Sequence, residues 1–325
     1  MVGTGTHNAS HPAQSAGAPL KNHKCVYAIP GDNLYLREQA SAAEAAAHRL
    51  GMALQVVSAE MDPILQSQQL LALVQGKEAE RPNAILIEPV NATGLPRVAE
   101  AAVSAGIAWV VSNAQVDYIA KLRRSAKAPV FTISQDHIEI GRLQGRQIAA
   151  LLPQGGSVLY LRGPAMSSIA TRRYEGLERG KPHNVEIKSV KVQGSTADNA
   201  CVAVSSWINL STVRPEGTQL IVSQNADFIF GARKAFEARP DESERAKWLA
   251  IPSLGAGVAS QLKSLVDHGT LRAAVLTSLT AEKALNMLAV AVKQGSQPPE
   301  NTPVEARSHP PIEELAKKPI TTRPQ

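Results

Sequence analysis

The sequence predicts an α/β protein built from two similar lobes, each a parallel sheet covered by helices. Short apolar runs alternate with helical segments of about 10–15 residues along the chain, which is typical of parallel sheets covered on both faces. The alternation passes through one array of strands and starts again near residue 139. Two arrays favour two lobes over one very wide sheet, and a cleft between lobes is a natural place to enclose a ligand.

The first array begins after a Gly/Ser/Ala/His-rich start and contains strands with helices between them. Gly51 is expected to end the first helix, because glycine readily adopts the left-handed conformation of a helix C-terminus. Asp62-Pro63 introduces the second helix, since proline is favoured in a first turn. The helices are placed at 36–50, 64–75 and up to about 105. The strands are expected at residues 26–29, 53–57, 84–87, 108–111 and 129–133.

A helix over 139–152 opens the second array, and a long helix over 281–293 closes it at Gly295. The strands of this array are expected at 157–161, 185–190, 220–223, 248–251 and 273–276. The stretch Gly255-Ala256-Gly257 is interpreted as a tight turn before a helix. It lacks the third small residue of a dinucleotide-binding loop, and the next strand has no acidic residue at its end.

Composition excludes several classes of function. The net charge is +6, but the basic residues are dispersed, whereas nucleic-acid binders gather theirs on one face, so no nucleic-acid partner is expected. No segment approaches the length of a membrane span, so no membrane insertion is expected. The eight histidines show no metal-ligand spacing, and no phosphate loop or nucleophile elbow is visible. The chain is therefore expected to have no metal, no cofactor and no catalytic residues.

Polar residues follow several predicted strands at the point where each strand ends. Asn33, Glu88 and Asn113 do so in the first array, and Gln224-Asn225-Ala226-Asp227 does so in the second. Ligands of open α/β sheets sit beyond the carboxyl ends of the strands. Amides both donate and accept hydrogen bonds, which suits a neutral, hydroxylated ligand. Helix capping is the structural alternative for each single position.

These motifs resemble the ribose-type members of the type I periplasmic binding protein family. Asp32-Asn33-Leu34-Tyr35-Leu36 is similar to the loop after the family's first strand. The segment 171–177 resembles the Arg-x-x-Gly-Phe helix of its second lobe, and 224–227 its Gln-Asn-Asp turn. The resemblance covers residues 24–304. It implies a hinge-closing receptor for a solute, typically a sugar, that delivers its ligand to an ABC importer. Related lobes serve as effector domains of LacI-type repressors.

The resemblance also implies which residues contact the ligand. In the first lobe they are Asn33, Tyr35, Glu88 and Asn113, and in the second lobe Thr171, Arg173, Asn225, Asp227 and Thr277. The chain departs from the family at several of these places. Asn113-Ala114 replaces the usual Asp-Arg pair, and Tyr35 is the only aromatic side chain in the first loop. These departures weaken the inference of a sugar more than the inference of the fold.

The expected fold is thus two parallel-sheet α/β lobes joined by three crossings, near Ile133–Asp136, Thr277–Thr280 and Asn301–Glu305. Residues 24–133 with 279–304 are assigned to the first lobe, and 134–278 to the second. Residues 1–23 are expected to be a disordered start, and 305–325 a Pro-rich segment over the surface.

The expected function is reversible binding of a small polar, carbohydrate-like solute by a monomer, with an ABC permease as partner. A cytoplasmic ligand sensor that reports to a regulatory partner is the alternative, and an enzyme on the same lobes is a third. The family resemblance points to the periplasm or cell envelope. The start of the sequence shows no signal peptide, which would indicate the cytoplasm if Met1 is the true start.

Overall fold

The computed structural model describes residues 20–91 and 95–320, which form two six-stranded sheets. The first sheet has the order β11-β5-β4-β3-β1-β2, and all of its strand pairs are parallel. Its strands are β1 (Lys24–Ile29), β2 (Ala53–Ser58), β3 (Ala84–Ile87), β4 (Ala108–Ser112), β5 (Val130–Gln135) and β11 (Asn301–Val304).

The second sheet repeats this order as β12-β10-β9-β8-β6-β7, with β12 antiparallel to β10. Its strands are β6 (Gly156–Arg162), β7 (Val185–Lys191), β8 (Leu220–Ser223), β9 (Ser253–Val258), β10 (Ala273–Thr277) and β12 (Ala306–His309). The matching strand orders confirm the prediction of two similar parallel-sheet lobes.

Helices cover both faces of each sheet, so the central strands are apolar on both sides. Two 3₁₀ turns, at Glu78–Glu80 and Pro215–Gly217, accompany them. None of the helices within 20–91 and 95–320 combines the length and apolar character that a membrane crossing requires. The helices are α1 (Leu34–Leu50), α2 (Pro63–Gln75), α3 (Pro96–Ser104), α4 (Ile119–Arg123), α5 (His137–Leu151), α6 (Ser168–Gly180), α7 (Ala197–Ile208), α8 (Ala226–Glu237), α9 (Glu242–Ala250), α10 (Ala259–Asp267), α11 (Thr280–Gln294) and α12 (Ile312–Ala316).

The chain passes between the lobes three times. It leaves the first sheet between β5 and α5, returns between β10 and α11, and leaves again between β11 and β12. Helix α11 belongs with the first lobe, because Ala281 and Leu285 are buried in the same apolar cluster as residues of α1 and β1. All three crossings lie beside the carboxyl ends of strands, so the loops that follow those strands face the space between the lobes.

The strand predicted at 248–251 is wrong, because residues 242–250 form helix α9. Trp248 is buried on that helix, where its ring stacks on Phe236 at 5.2 Å between centroids. Gly255-Ala256-Gly257, interpreted as a turn, lies inside β9. Strand β9 is central and packs closely under α10. A Cβ on Gly257 would lie only 3.2 Å from Leu262 Cδ1, which explains a small residue there.

The described residues near both ends of the chain are more ordered than predicted. Residues 1–19 of the predicted N-terminal segment, and 321–325, lie outside the described residues. Leu20 is buried in the apolar cluster of the first lobe, and its backbone N–H donates to the Leu50 carbonyl oxygen at 2.8 Å. Residues 306–309, which were assigned to the Pro-rich segment, add strand β12 to the second sheet.

Candidate functional site

A cavity of about 400 Å³ lies between the lobes at the carboxyl ends of their strands. Loops of both lobes line it, so a molecule held there contacts both at once. From the first lobe the lining includes Asn33, Tyr35, Met61, Glu88 and Asn113, and from the second lobe Met166, Arg173, Gln224, Asn225, Asp227, Gln261 and Thr277. The structure therefore brings eight of the nine predicted contact residues to one cavity.

Thr171 is the predicted residue that the structure does not bring there. It is exposed on α6, whereas Arg173, two positions further along, is buried and lines the cavity. Successive residues of an α-helix are rotated by about 100°, so positions two apart point in nearly opposite directions. Only one of the two side chains can face the cleft.

Glu88 and Asn113 form a buried polar pair on the first-lobe side of the cavity. Their side chains are 5% and 4% exposed, and Asn113 Nδ2 donates to Glu88 Oε1 at 2.7 Å. The other two acceptors, Glu88 Oε2 and Asn113 Oδ1, have no hydrogen-bond partner among the described residues. Asn113 has a φ of 57°, a left-handed conformation that asparagine tolerates better than most residues. The turn after β4 thus holds its amide against Glu88.

Burial governs the ionisation of Glu88. Removal of the carboxylate from water raises its pKa from 4.5 to about 7, although the Asn113 hydrogen bond and the charge of Arg173 act in the opposite direction. At neutral pH the carboxyl group is therefore close to its midpoint. A ligand that donates a hydrogen bond to Oε2 favours the ionised form, and one that accepts there favours the protonated form.

Asn33 and Asn225 occupy equivalent positions in the two lobes, each as the N-cap of the helix that follows a strand. Asn33 Oδ1 accepts from the Leu36 N–H at 2.9 Å, and Asn225 Oδ1 accepts from the Phe228 N–H at 2.9 Å. The structural alternative of capping therefore holds for both residues. Each cap uses the side-chain oxygen and not the amide nitrogen, and both residues line the cavity.

Arg173 is a buried cation whose donors go to protein acceptors. Its Nη1 donates to the Gln224 carbonyl oxygen, its Nη2 to Gln135 Oε1 at 3.1 Å, and its Nε to His137 Nδ1 at 3.4 Å. His137 Nε2 lies 3.3 Å from the Asn113 carbonyl oxygen, which fixes Nε2 as the protonated nitrogen when Nδ1 accepts. These contacts connect the second lobe, the first crossing and the first-lobe side of the cavity.

The His137 ring stays neutral in this position. Burial, together with the positive charge of Arg173, lowers its pKa from 6.5 to about 3. A protonated ring would place two cations in contact in a buried site.

Close packing of α5 against α6 sets the position of Arg173. A Cβ on Gly141 would lie 2.0 Å from the Arg173 carbonyl oxygen, and one on Gly176 would lie 2.0 Å from the Ile138 carbonyl oxygen. Real Cβ atoms do not approach other atoms so closely, so both positions require glycine. The two helix backbones are therefore in direct contact below the arginine.

The remaining predicted residues differ in how they are held. The Tyr35 hydroxyl accepts from Gln39 Nε2, and Gln135 Nε2 lies 3.4 Å from it, so this hydroxyl is already engaged. Asp227 lies in the first turn of α8, and partial burial raises the pKa of its carboxyl group. Thr277 ends β10 and is buried at the second crossing.

Several important residues were missed by the sequence analysis as contributors to the site. Gln135, Gln224 and His137 hold Arg173, and Met61 and Met166 line the cavity. Gln224 belongs to the polar turn that the sequence did indicate, but its contact with Arg173 was not predicted, and Gln135 also follows a strand pattern that could have identified it. Nothing in the sequence distinguishes His137 from the other histidines. In the described part of the chain, no cluster of three or more His, Cys, Asp or Glu side chains is placed to hold a metal ion.

Two similar lobes, three crossings and a polar cavity between them define the class of two-lobed binding proteins. Residues 26–297 match the family described as periplasmic binding protein domain, and the chain belongs to that family. The predicted family resemblance is thereby confirmed.

Among curated relatives, the ribose import binding protein of Escherichia coli (strain K12) is 24% identical over 226 residues, which are 69% of this chain and 70% of the relative. Among solved structures, a galactofuranose binding protein is similar with a TM-score of 0.73 at 20% identity, covering 91% of this chain and 98% of that one. A Caulobacter myo-inositol binding protein has a TM-score of 0.73 at 18% identity, covering 94% and 97%. These family members are binding proteins.

Proposed function

We propose that this protein reversibly binds a small polyhydroxylated solute, a sugar or cyclic polyol, in the cavity between its lobes and presents it to an ABC-type importer. In this proposal the protein does not transform the ligand. The observation that carries it is a pair of cavity-lining residues, Glu88 and Asn113, whose buried acceptors Oε2 and Oδ1 have no hydrogen-bond partner in residues 20–91 and 95–320.

An unpartnered buried acceptor costs about 1–3 kcal/mol, so a ligand with two suitably placed donors recovers a large free energy at this point. Vicinal hydroxyl groups supply such donors. Asn33 and Asn225 line the same cavity from opposite lobes, and their amide nitrogens suit the oxygen atoms of the same hydroxyl groups. A polyol, which carries donors and acceptors on every carbon, satisfies both sets.

The names of similar proteins support this class of ligand. Ribose, galactofuranose and myo-inositol, which those proteins are named for, are all compact molecules with hydroxyl groups on adjacent carbons. The cavity of about 400 Å³ is large enough for a molecule of that size. The family, and the import role in the name of the Escherichia coli relative, support delivery to an ABC importer.

The test is a titration of the purified protein with D-ribose, L-arabinose, D-fructose and myo-inositol, by thermal shift and calorimetry. At a ligand concentration of 100 times Kd, binding adds about 2.7 kcal/mol to the free energy of unfolding. A rise of about 5 °C or more in Tm is therefore expected for the correct ligand. Mass spectrometry after a long incubation should show the ligand unchanged.

The control compares two Glu-to-Gln variants. Glu88→Gln places a donor where the ligand's hydroxyl donates, so ligand affinity should fall by at least about ten-fold. Glu44→Gln changes an exposed glutamate on α1, away from the cavity, and affinity should stay as in the wild type. Equal affinities in both variants would place the ligand elsewhere, and chemical conversion of the ligand would contradict the proposed function.

A further inference from the structure

Met61 is held at the cavity by an unusual local backbone. It and Glu60 have φ values of 63° and 51°, two consecutive left-handed residues that are not glycine. The Met61 N–H donates to the Pro30 carbonyl oxygen at 2.6 Å, which fixes this turn against the end of β1. Such strain persists only where the surrounding structure enforces it, and it is often found at binding sites.

The Met61 side chain lies directly against Gly31. A Cβ on Gly31 would lie 2.9 Å from Met61 Sδ and 3.0 Å from its Cγ. The thioether is therefore laid across the backbone that leads from β1 to α1. Met61 is 49% exposed, and it lines the cavity.

Met166 stands on the other side of the cavity entrance. It belongs to the second-lobe loop between β6 and α6, lines the same cavity, and is 94% exposed. An exposed methionine in each lobe gives the mouth of the cavity two apolar, adaptable side chains. In contrast, the buried end holds Glu88, Asn113 and Thr277.

This difference between the mouth and the buried end suits a ligand with two different ends. We infer that Met61 and Met166 form an apolar subsite that contacts an alkyl substituent of the ligand, so that the protein prefers a deoxy sugar to its fully hydroxylated parent. The inference rests on the proposed function. A hydroxyl group at this place would meet two thioethers, which are weak acceptors, whereas a methyl group is removed from water without losing a hydrogen bond.

The test uses matched pairs of sugars that differ by one oxygen atom. D-fucose is compared with D-galactose, and L-rhamnose with L-mannose, by isothermal titration calorimetry on the full chain. One buried methyl group is expected to make the deoxy member bind about four-fold tighter in at least one pair. The double variant Met61→Gln/Met166→Gln should reduce that preference to about one.

The control is Ile64→Gln, which removes another exposed apolar side chain. Ile64 is 67% exposed on α2 and does not line the cavity, so the preference should stay as in the wild type. Equal affinities of both members of each pair, or a preference that survives in the double variant, would overturn the inference and leave the proposed function standing. Failure of all four sugars and of the ribose, arabinose, fructose and inositol titrations would overturn both.

Discussion

Glu88 provides the sharpest test of the site, because its burial has a measurable effect on stability. Its pKa is 4.5 in the unfolded chain and about 7 in the folded protein. Between these values the folded protein keeps a proton that the unfolded chain has lost, so the stabilisation present below pH 4.5 is lost as the pH rises towards 7. Each pKa unit corresponds to 1.36 kcal/mol, which gives a total loss of about 3 kcal/mol.

His137 acts in the opposite direction over an overlapping range. Its pKa is lowered from 6.5 to about 3 in the folded protein. Between these pH values the unfolded chain therefore binds a proton that the folded protein does not bind. Stability from this group therefore falls as the pH falls from 6.5 to 3. Between pH 4.5 and 6.5 the two groups change the free energy of unfolding by nearly equal and opposite amounts, and their effects cancel in the wild type.

Glu88→Gln removes one of the two opposing groups, so the effect of His137 on the free energy of unfolding is no longer cancelled. The variant should gain about 2 kcal/mol on the wild type between pH 5 and 7, since the wild type alone loses most of the Glu88 contribution over that range. Urea denaturation of both ligand-free proteins at pH 5, 6, 7 and 8 measures the difference, in which all other titrating groups cancel. A ¹³C NMR titration of the Glu88 carboxyl carbon gives the pKa directly.

A stability difference that stays constant from pH 5 to 8 would refute this reasoning. So would a carboxyl pKa near 4.5, because either result would mean that water reaches Glu88 freely. The argument for unpartnered buried acceptors would then fail as well. Glu44→Gln serves again as the control, and its stability should follow the wild type at every pH.

The other predictions concern the groups around this pair. His137→Gln should lose about 2 kcal/mol relative to the wild type between pH 5 and 6.5 by urea denaturation, because Glu88 then titrates unopposed. Asn225→Asp keeps the cap oxygen but loses the amide donor, so calorimetry should show at least a ten-fold weaker ligand affinity at nearly unchanged Tm. Gly141→Ala should destabilise the protein by about 1–3 kcal/mol and weaken binding, whereas Gly76→Ala, whose Cβ would find its nearest neighbours at 3.5 Å, should change stability little.

Much of the fold could be predicted because its strands are short apolar runs with polar ends. The prediction failed at 248–251, where Trp248-Leu249-Ala250-Ile251 looks like such a strand. A short apolar run does not distinguish a buried strand from the buried side of a helix. Asp241 settles the matter here, since its side chain accepts from the Glu244 N–H at 2.6 Å and starts α9. Strand β9 was also missed, because Gly255 and Gly257 lie within it and glycine is more typical of turns than of strands.

The candidate site was less accessible to sequence reasoning. Strand ends indicate which residues face the cleft, and this is enough to select Glu88, Asn113 and Asn225. Which of these side chains bond to one another depends on distances between elements far apart in sequence. Asn113 meets Glu88 across 25 positions, and Arg173 meets the Gln224 carbonyl oxygen across 51. No local sequence pattern indicates such pairs. It could therefore not be predicted that Arg173, expected to contact the ligand, would bond to protein acceptors instead.

The role of Arg173 bears on how the lobes close. Because its guanidinium bonds to Gln135, Gln224 and His137, it ties the second lobe to the first crossing. The direct contacts between the lobes away from the crossings are of a different kind. Ser260 donates to Glu38, and Arg172 donates to Gln115, and both pairs are exposed.

Exposed polar pairs of this kind contribute at most about 1 kcal/mol each, so they do not hold the lobes together by themselves. A ligand shifts the balance between open and closed forms only by its differential affinity for them. That difference must come from groups that a closed cleft buries and an open one hydrates. Asn33 on one lobe and Asn225 and Asp227 on the other, which line the cavity and are only partly buried, are such groups. Closure therefore depends on a ligand that satisfies both lobes, and the same hydrogen bonds that select the ligand also drive the closure.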